Sequence, residues 1–464
     1  MNLIQHLKDH FLQVAEKIIS FLEGGIDYPT FQQELKKELN KLGQNICREV
    51  LEATDQYLKE NRRERKGWVV QRSSEEKNIL TPFGLVTYSR TYYRNKETGE
   101  YAHLVDRLAG YGPHARVDAA LKAELIAKAT ETSYRKSGAE PEKTAPGTAV
   151  SAQTVMNAIR SYFARETENT GGVPRKKIVR VLYIEADEDH VARQKGKKLQ
   201  IPLIYVHEGW EAKGNGYRLK NVRYFSGLYT DIELLWLEVW DYIESNYDIE
   251  KIERIYVAGD GASWIKKGLA VLPKACFVLD RFHLEKYIVR ALGKEKDKKE
   301  ELREALRRFD LPRAQQILKN AQENAPSKHK KKAVAECRRY IKSNWEGIEI
   351  YQKYPGELKG CSAEGHVSHI LSARLSRRPG GWSKKGADQM ARLRVIKGNG
   401  EKIKEKYLAQ RTPLGKAAIK ICPQVLRLQR KAKGELRERL DNIPALKGPV
   451  TSLTKTLKAL VFAL

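Results

Sequence analysis

Three acidic residues in this chain stand where carboxylates do chemistry. Asp187 ends an apolar, β-rich run, KKIVRVLYIEAD (176–187), and Asp260 ends a second, IERIYVAGD, before a Gly-Ala turn leads into a helix. Carboxylates emerging side by side at a sheet edge are hard oxygen donors suited to Mg²⁺ or Mn²⁺. Two such ions ~3.5–4 Å apart clamp the attacking and leaving oxygens of a phosphodiester during in-line displacement. A pair of sites needs a third carboxylate from a neighbouring helix. Glu364 in CSAEGHVSHILSARLSRRPGGWS is the candidate, with Ser362 as cap and Val367, Leu371 and Leu375 at four-residue spacing. Each acid also has a plainer reading. Glu185, Asp187 and Asp189 share one face of an extended strand, so Asp189 rivals Asp187. Asp-Gly at 260–261 is a turn dipeptide. A Glu in a first helical turn suits the helix dipole without catalysis.

Other residues group around these acids. Asp280 and His283 form an Asp-x-x-His pair at a strand-to-helix junction, where they either support a metal site and orient phosphate or simply cap and pack. His366 and His369 lie three apart on a helix, but no matching Cys or carboxylate pair stands nearby, so zinc is not supported. Arg374, Arg377, Arg378, Lys384 and Lys385 follow Glu364 as phosphate contacts, and Trp382 either stacks on a base or anchors its loop. Between His366 and Gly400 eight Lys/Arg face a single acid, Asp388, so a nucleic-acid backbone would lie there.

The elements that position these residues alternate through the middle of the chain. After 176–187 come LQIPLIYVHEGW (199–210) and NVRYFSGLY (221–229) as strands. A helix over 231–247 follows, with Leu234, Leu237, Val239, Trp240 and Ile243 as its apolar set. Next are the strand ending at Asp260, a helix, and a strand running into a helix over 276–292. The order β-β-β-α-β-α-β matches the ribonuclease H-like α/β fold, in which the first and fourth strands are neighbours. Upstream, Thr30 and Gln33 form a capping box for a second helix, and Trp68–Tyr93 reads as two or three short antiparallel strands. In 115–166 a short helix through Ser133–Ser137, a Pro/Gly-rich turn and a Ser151-capped helix with Val155, Ile159 and Phe163 outline a helix-turn-helix. Plain helix packing explains that outline equally well.

Composition narrows the function classes. The 464 residues suggest about three domains, and 86 Lys+Arg against 58 Asp+Glu give a net charge of +28 that draws the chain to polyanions. Five scattered cysteines without a CxxC pair support neither a zinc ribbon nor a disulfide framework, and a reducing cytosol fits. The amphipathic first helix is not a signal peptide, and no apolar run is long enough to span a bilayer. GxxxxGK[ST], HExxH and GxSxG are absent, which removes P-loop ATPases, the commonest zincins and serine hydrolases.

In combination, the strand-ending Asp, GDG-x-x-W-I, D-x-F-H-L-x-K and A-E-G-H-V-x-H…R-P-x-G-W resemble the ISLre-type insertion-sequence transposases, relatives of the Mutator-like DDE transposases. The resemblance spans roughly 175–385. Glu188 departs from it, since this family more often has Gly after the first Asp. The resemblance implies a catalytic and metal-binding triad of Asp187, Asp260 and Glu364 holding two Mg²⁺ (or Mn²⁺), with Asp280, His283 and His366 supporting. It also implies a helical insertion at about 294–358 before the last acid. The expected activity is DNA cleavage at terminal inverted repeats followed by strand transfer into target DNA, by a homodimer or higher oligomer in the bacterial cytoplasm at the nucleoid. The competitors are a ribonuclease H-like nuclease that only hydrolyses and a domesticated, non-catalytic DNA-binding protein. The expected layout is N-terminal helices with a small β region (1–114), a helix-turn-helix region (115–170), a catalytic domain (175–400) and a basic helical C-terminal region (401–464).

Overall fold

The computed structural model describes residues 3–163, 176–214, 216–378 and 380–410. From residue 411 onward the expected C-terminal helical region lies outside the described residues, as does Cys422. The chain divides into two compact units.

Of the described residues, the first unit comprises 3–125, 135–152 and 407–410. It opens with α1 (Leu3–Leu22) and α2 (Tyr28–Glu60). Helix α2 starts earlier than the Thr30 box predicts, because Asp27 is the cap and its carboxylate accepts the Thr30 N–H at 2.9 Å. Strands β1 (Trp68–Thr81), β2 (Gly84–Asn95) and β3 (Tyr101–His103) form an antiparallel sheet. The first two are long rather than short, at 14 and 12 residues. Helix α3 (Leu104–Leu108) then brings Val105 onto a core of Ile79, Val86 and Tyr88, and Asp106 beside Lys77, Tyr88 and Arg90.

Helices α4 (Ala119–Ala129), α5 (Tyr134–Ala139) and α6 (Ala152–Phe163) account for the expected helix-turn-helix outline. The turn after α5 is closed by the Val150 N–H on the Gly138 carbonyl at 2.9 Å. A Cβ at Gly138 would lie 2.2 Å from the Val150 oxygen, so only glycine permits this closure. Helix α6 buries Val155, Ala158, Ile159 and Tyr162 and leaves Arg160 exposed. The boundary between the units passes through α4 and α5, and residues 164–170 of the expected helix-turn-helix region lie outside the described residues.

The second unit comprises 126–134 and 153–406. Its sheet contains β4 (Val181–Val191), β5 (Leu199–His207), β8 (Arg223–Ser226), β9 (Arg254–Gly259) and β10 (Ala275–Leu279), in the order β10-β9-β4-β5-β8. Strands β4, β9 and β10 run parallel, whereas β5 is antiparallel to β4 and to β8. Between β5 and β8 lies a small hairpin, β6 (Trp210–Lys213) with β7 (Gly216–Leu219), that the sequence reading passed over.

One sheet face presents Leu182, Ile184, Ala186, Ile255 and Val257 to α7 (Ile232–Asn246). Helix α7 buries Leu235, Trp236, Val239 and Ile243, while Leu234 and Leu237 of the predicted apolar set are 47% and 44% exposed. The apolar periodicity fits two neighbouring phases, and burial of Trp236 selects the other one. Its ring covers Gly268, where a Cβ would stand 2.7 Å from the indole. Short helices α8 (Ser263–Lys266) and α9 (Gly268–Val271) lead to β10, and α10 (Arg281–Leu292) leaves it. The insertion follows as α11 (Lys296–Arg307), α12 (Leu311–Glu323), α13 (Lys328–Ser343) and α14 (Trp345–Lys353). Leu302, Leu318, Val334, Cys337 and Ile341 of these helices share a core with Phe277 and Leu279 of β10.

The opposite face carries Tyr256, Ala258 and Val278 against Ile350 and Tyr351 of α14. Helix α15 (Ala363–Val367), a π-helical turn (Ser368–Ser372), α16 (Ala373–Leu375), α17 (Lys384–Gly398) and α18 (Ile403–Ala409) complete the described chain.

Candidate active site

Side chains alternate along a strand, so parity and register together fix which residues meet. On β4, Leu182, Ile184 and Ala186 face α7, which turns Glu185, Asp187 and Asp189 to the opposite face. On β9 the same face carries Tyr256 and Ala258, and on β10 it carries Cys276 and Val278. Glu185 pairs with Ala258, and Gly259 with Leu279. Continuing both registers by one or two residues sets Asp187, Asp260 and Asp280 level across three adjoining parallel strands. Neighbouring strands are ~4.8 Å apart. The Asp280 N–H closes the row, bonding the Gly259 carbonyl at 2.8 Å.

The three acids have different partners. Asp187 is partly buried and takes only the Glu188 N–H, at 2.8 Å. Burial above all pushes its carboxyl up to about 6; the nearby Asp260 charge adds to this and the His283 charge opposes it. Asp260 accepts the Ala262 N–H at 2.8 Å, and its carbonyl receives the Tyr340 hydroxyl at 2.6 Å. Asp280 is 3% exposed, caps α10 through the Phe282 N–H and bonds His283 Nδ1 at 2.8 Å. That bond chiefly raises the His283 pKa, with burial opposing and the charges of Asp187 and Asp260 helping. His283 therefore sits as a cation-forming ring among three carboxylates. Asp189, two residues further along β4, accepts the Ser376 hydroxyl at 2.7 Å.

Glu364 occupies the first turn of α15 and is exposed. Ser362 does not cap this helix with its side chain. Instead its N–H and hydroxyl both reach the Glu185 carboxylate, at 2.5 and 3.1 Å. Glu185 also accepts Tyr205 Oη and contacts His207 Nε2 at 3.2 Å. Burial works to raise the Glu185 pKa, and the His207, Tyr205 and Ser362 contacts outweigh it and hold the carboxyl below its ordinary value. The helix bearing Glu364 is thus tied to β4 two residues before Asp187. The π-helical turn follows directly, a local irregularity frequent at functional sites.

Other predicted residues fall away from the acid row. His366 stacks on Tyr205 with ring centroids 4.4 Å apart and receives the Tyr224 hydroxyl at 2.7 Å on Nδ1. Burial lowers its pKa, and it packs beside Tyr205 and Tyr224 rather than in the row of Asp187, Asp260 and Asp280. Arg374 is buried, donates to the Ala129 carbonyl at 2.8 Å and lies over the rings of Tyr134 and Trp382, which makes it a strut and not a phosphate contact. Trp382 anchors its loop through Nε1 to the Leu375 carbonyl at 3.0 Å. Arg377, Arg378, Lys384 and Lys385 are exposed, as the phosphate reading requires.

The supporting contacts of Tyr340, Glu185 and Tyr205 carried no motif in the sequence. Among the described residues, no three His, Cys, Asp or Glu side chains already sit close enough to hold a metal ion. The donors nevertheless fit a divalent cation chemically. They are hard carboxylates, two of them level and facing one way, with Asp187 resisting its own charge beside Asp260.

Fold and site together define an α/β protein with a mixed five-stranded sheet and an acidic row at the ends of its parallel strands. The chain belongs to UPF0236, an uncharacterised protein family whose family model matches residues 22–412. A UPF0236 protein of Caldanaerobacter subterraneus subsp. tengcongensis, whose name joins eleven loci, is 40% identical over 446 residues, 95% of this chain and 93% of its own. A second from the same organism, whose name joins four loci, is 39% identical over 465 residues, 99% of this chain and 97% of its own. A "UPF0236 protein in vanSb 3'region" of Streptococcus gallolyticus is 26% identical over 347 residues, 72% of this chain and 75% of its own.

Proposed function

We propose that this protein is a DNA transposase of the ISLre type, with a ribonuclease H-like catalytic domain formed by the five-stranded sheet. The observation that carries the reading is the level pair Asp187 and Asp260 on adjoining parallel strands, facing the same way. The strand order, with its second member antiparallel, supports the fold assignment. Relatives whose single names cover eleven and four loci of one genome are compatible with proteins of mobile elements.

Asp187, Asp260 and Glu364 would hold two Mg²⁺ or Mn²⁺ ions, which when bound supply charge neutralisation at the attacking and leaving phosphodiester oxygens. The protein's own part is to present the acids on rigid strand ends, to fix Asp280 and His283 beside them, and to hold the Glu364 helix through Glu185. His283, bonded to Asp280 and raised in pKa beside Asp187 and Asp260, places a cation-forming ring in the row. Hydrolysis at an element end frees a 3′-hydroxyl, and transesterification joins that hydroxyl to target DNA. Phosphodiester bonds are exchanged, so no external energy source is needed. In this reading α4–α6 contact the terminal inverted repeats, and two or more copies hold the two ends together at DNA in the cytoplasm. Among the described residues no helix is long and apolar enough to cross a membrane.

The test is Mg²⁺-dependent cleavage and joining on oligonucleotides carrying the ends of the element. Asp260→Ala should abolish both reactions while leaving DNA binding intact. Unchanged cleavage in that variant removes the DDE assignment. Cleavage without joining would instead favour a nuclease that only hydrolyses, and binding alone a non-catalytic DNA-binding protein.

A further inference from the structure

Strands β4 and β5 continue past the acid row as a two-stranded ribbon, paired as far as Val191 with Leu199. Four residues of strand carry the chain ~13 Å beyond Asp187. The turn that closes the ribbon, 192–198, is exposed and contains Arg193, Lys195, Lys197 and Lys198 without an acid. Sequence reading gave this turn no role.

The structure joins it to the basic loop after Glu364. Trp382 N–H bonds the Ala192 carbonyl at 2.9 Å, and Gln194 N–H bonds the Trp382 carbonyl at 3.1 Å, so the two segments pair as a short parallel bridge. Gly381 allows the approach, since a Cβ there would lie 3.0 Å from the Gln194 backbone. Arg374 and Leu375 hold Trp382 from below. Arg377, Arg378, Lys384 and Lys385 are thereby fixed beside the four cations of the turn, and residues 376–386 again contain no acid.

Pairing distinguishes this surface from the arginines of α11 and α12. In the insertion, Arg303 meets Glu285 and Glu300, Arg307 meets Glu300 and Glu304, Arg308 meets Glu304, and Arg313 meets Glu301. Those four arginines are paired within the fold. Among the described residues no ion pair joins any of the eight cations of the turn and loop to an acid; Arg377 bonds only the Ser368 hydroxyl, at 2.6 Å. Like charges held together on a rigid scaffold repel one another, and a long polyanion relieves that repulsion.

We infer that the β4–β5 turn and the loop residues Arg377, Arg378, Lys384 and Lys385 form one surface that grips the phosphate backbone of duplex DNA on its way to the acid row. The inference rests on the function proposed above for the identity of the polyanion. The ~13 Å between row and turn corresponds to about four base pairs at ~3.4 Å each, so the gripped phosphates would flank the scissile one. Phosphate contacts carry no sequence information, so the surface would contribute affinity and register without sequence preference.

The experiment measures binding of a short random-sequence DNA duplex to the full chain over a range of salt concentrations. Two variants are compared with the native protein, one with Arg193, Lys195, Lys197 and Lys198 all changed to Gln, the other with Arg378, Lys384 and Lys385 changed to Gln. Each should lower the slope of log affinity against log salt by about 0.9 for every phosphate contact removed, and lower the affinity roughly tenfold or more near ~0.1 M salt. Thermal melting checks that the variants fold; both sets are exposed, so one folded variant suffices for the comparison. An unchanged slope in a folded variant overturns the inference. So does a native protein that binds phosphatidylserine–phosphatidylcholine vesicles through these cations and duplex DNA without them. The two readings can fail separately: a reduced slope without any Mg²⁺-dependent cleavage keeps the surface and removes the transposase, while cleavage with an unchanged slope does the reverse.

Discussion

The Ser362 N–H donates to the Glu185 carboxylate at 2.5 Å across 177 positions of chain. Together with the Ser362 hydroxyl on the same carboxylate at 3.1 Å, it ties the helix carrying Glu364 to the strand carrying Asp187, inside a site where Glu185 is 2% exposed. Glu185→Ala should therefore destabilise the fold by about 3–5 kcal/mol, because Tyr205, His207 and Ser362 all lose a buried partner. Glu185→Gln keeps the shape and one acceptor and should cost less, on the order of 1–2 kcal/mol. Chemical denaturation of the two variants tests the ranking; equal stability would mean the carboxylate is not the tether.

Gly261 has φ +86°, and a Cβ there would lie 2.3 Å from Asn344 Oδ1. Gly261→Ala combines a left-handed backbone with a clash against a buried side chain. We expect a loss of about 2–4 kcal/mol, visible as a lowered midpoint of unfolding, together with reduced cleavage because Asp260 is the preceding residue.

Asp187 gives stability a defined pH dependence. Its folded pKa of about 6 lies above the ordinary 3.8, so the folded state binds more protons between those values. The favourable contribution is complete below about pH 4 and is lost as pH rises through about 6, amounting to on the order of 2–3 kcal/mol in metal-free protein. Asp187→Asn should remove that slope and be the more stable form above about pH 7 in the presence of a chelator. Adding Mg²⁺ should stabilise the native protein and not the variant. Parallel stability curves for the two proteins would show that Asp187 is not under this strain.

Arg374 and Arg378 are four residues apart and separate structure from binding. Arg374→Ala removes a buried guanidinium bonded to the Ala129 carbonyl and lying over Tyr134 and Trp382, and should cost about 2–3 kcal/mol. Arg378→Ala is an exposed change expected within about 0.5 kcal/mol, yet it should lower the salt slope of DNA binding by about 0.9. Melting and salt titration of the same two proteins decide the matter.

What the sequence reveals here follows from the range of the forces involved. The apolar runs ending at Asp187 and Asp260 mark their strands locally, and the Asp280 cap of α10 is a short-range signal. The β6–β7 hairpin has strands of only four residues, too short for their alternation to stand out, and it leaves no comparable trace. The phase of α7 depends on Trp236 closing over Gly268, a contact the helix's own periodicity does not encode. Arg374 reads as a phosphate ligand by composition, and only the approach of Ala129, 245 positions earlier, shows it to be buried. The level placement of Asp260 and Asp280 likewise requires the register of β9 with β10. The pairing of Trp382 with the 192–194 segment is of the same kind, and neither sequence announces the other.

The helices between Asp260 and Glu364 bear on how this protein can be trimmed or rebuilt. Tyr340 of α13 holds the Asp260 carbonyl, and the same helices complete the packing of Phe277 and Leu279 on β10. The segment is consequently not a removable cassette. A shortened chain that spliced α10 directly to α15 would expose one flank of its sheet and release the turn that aims an acid, so any search for a minimal folded fragment has to retain it.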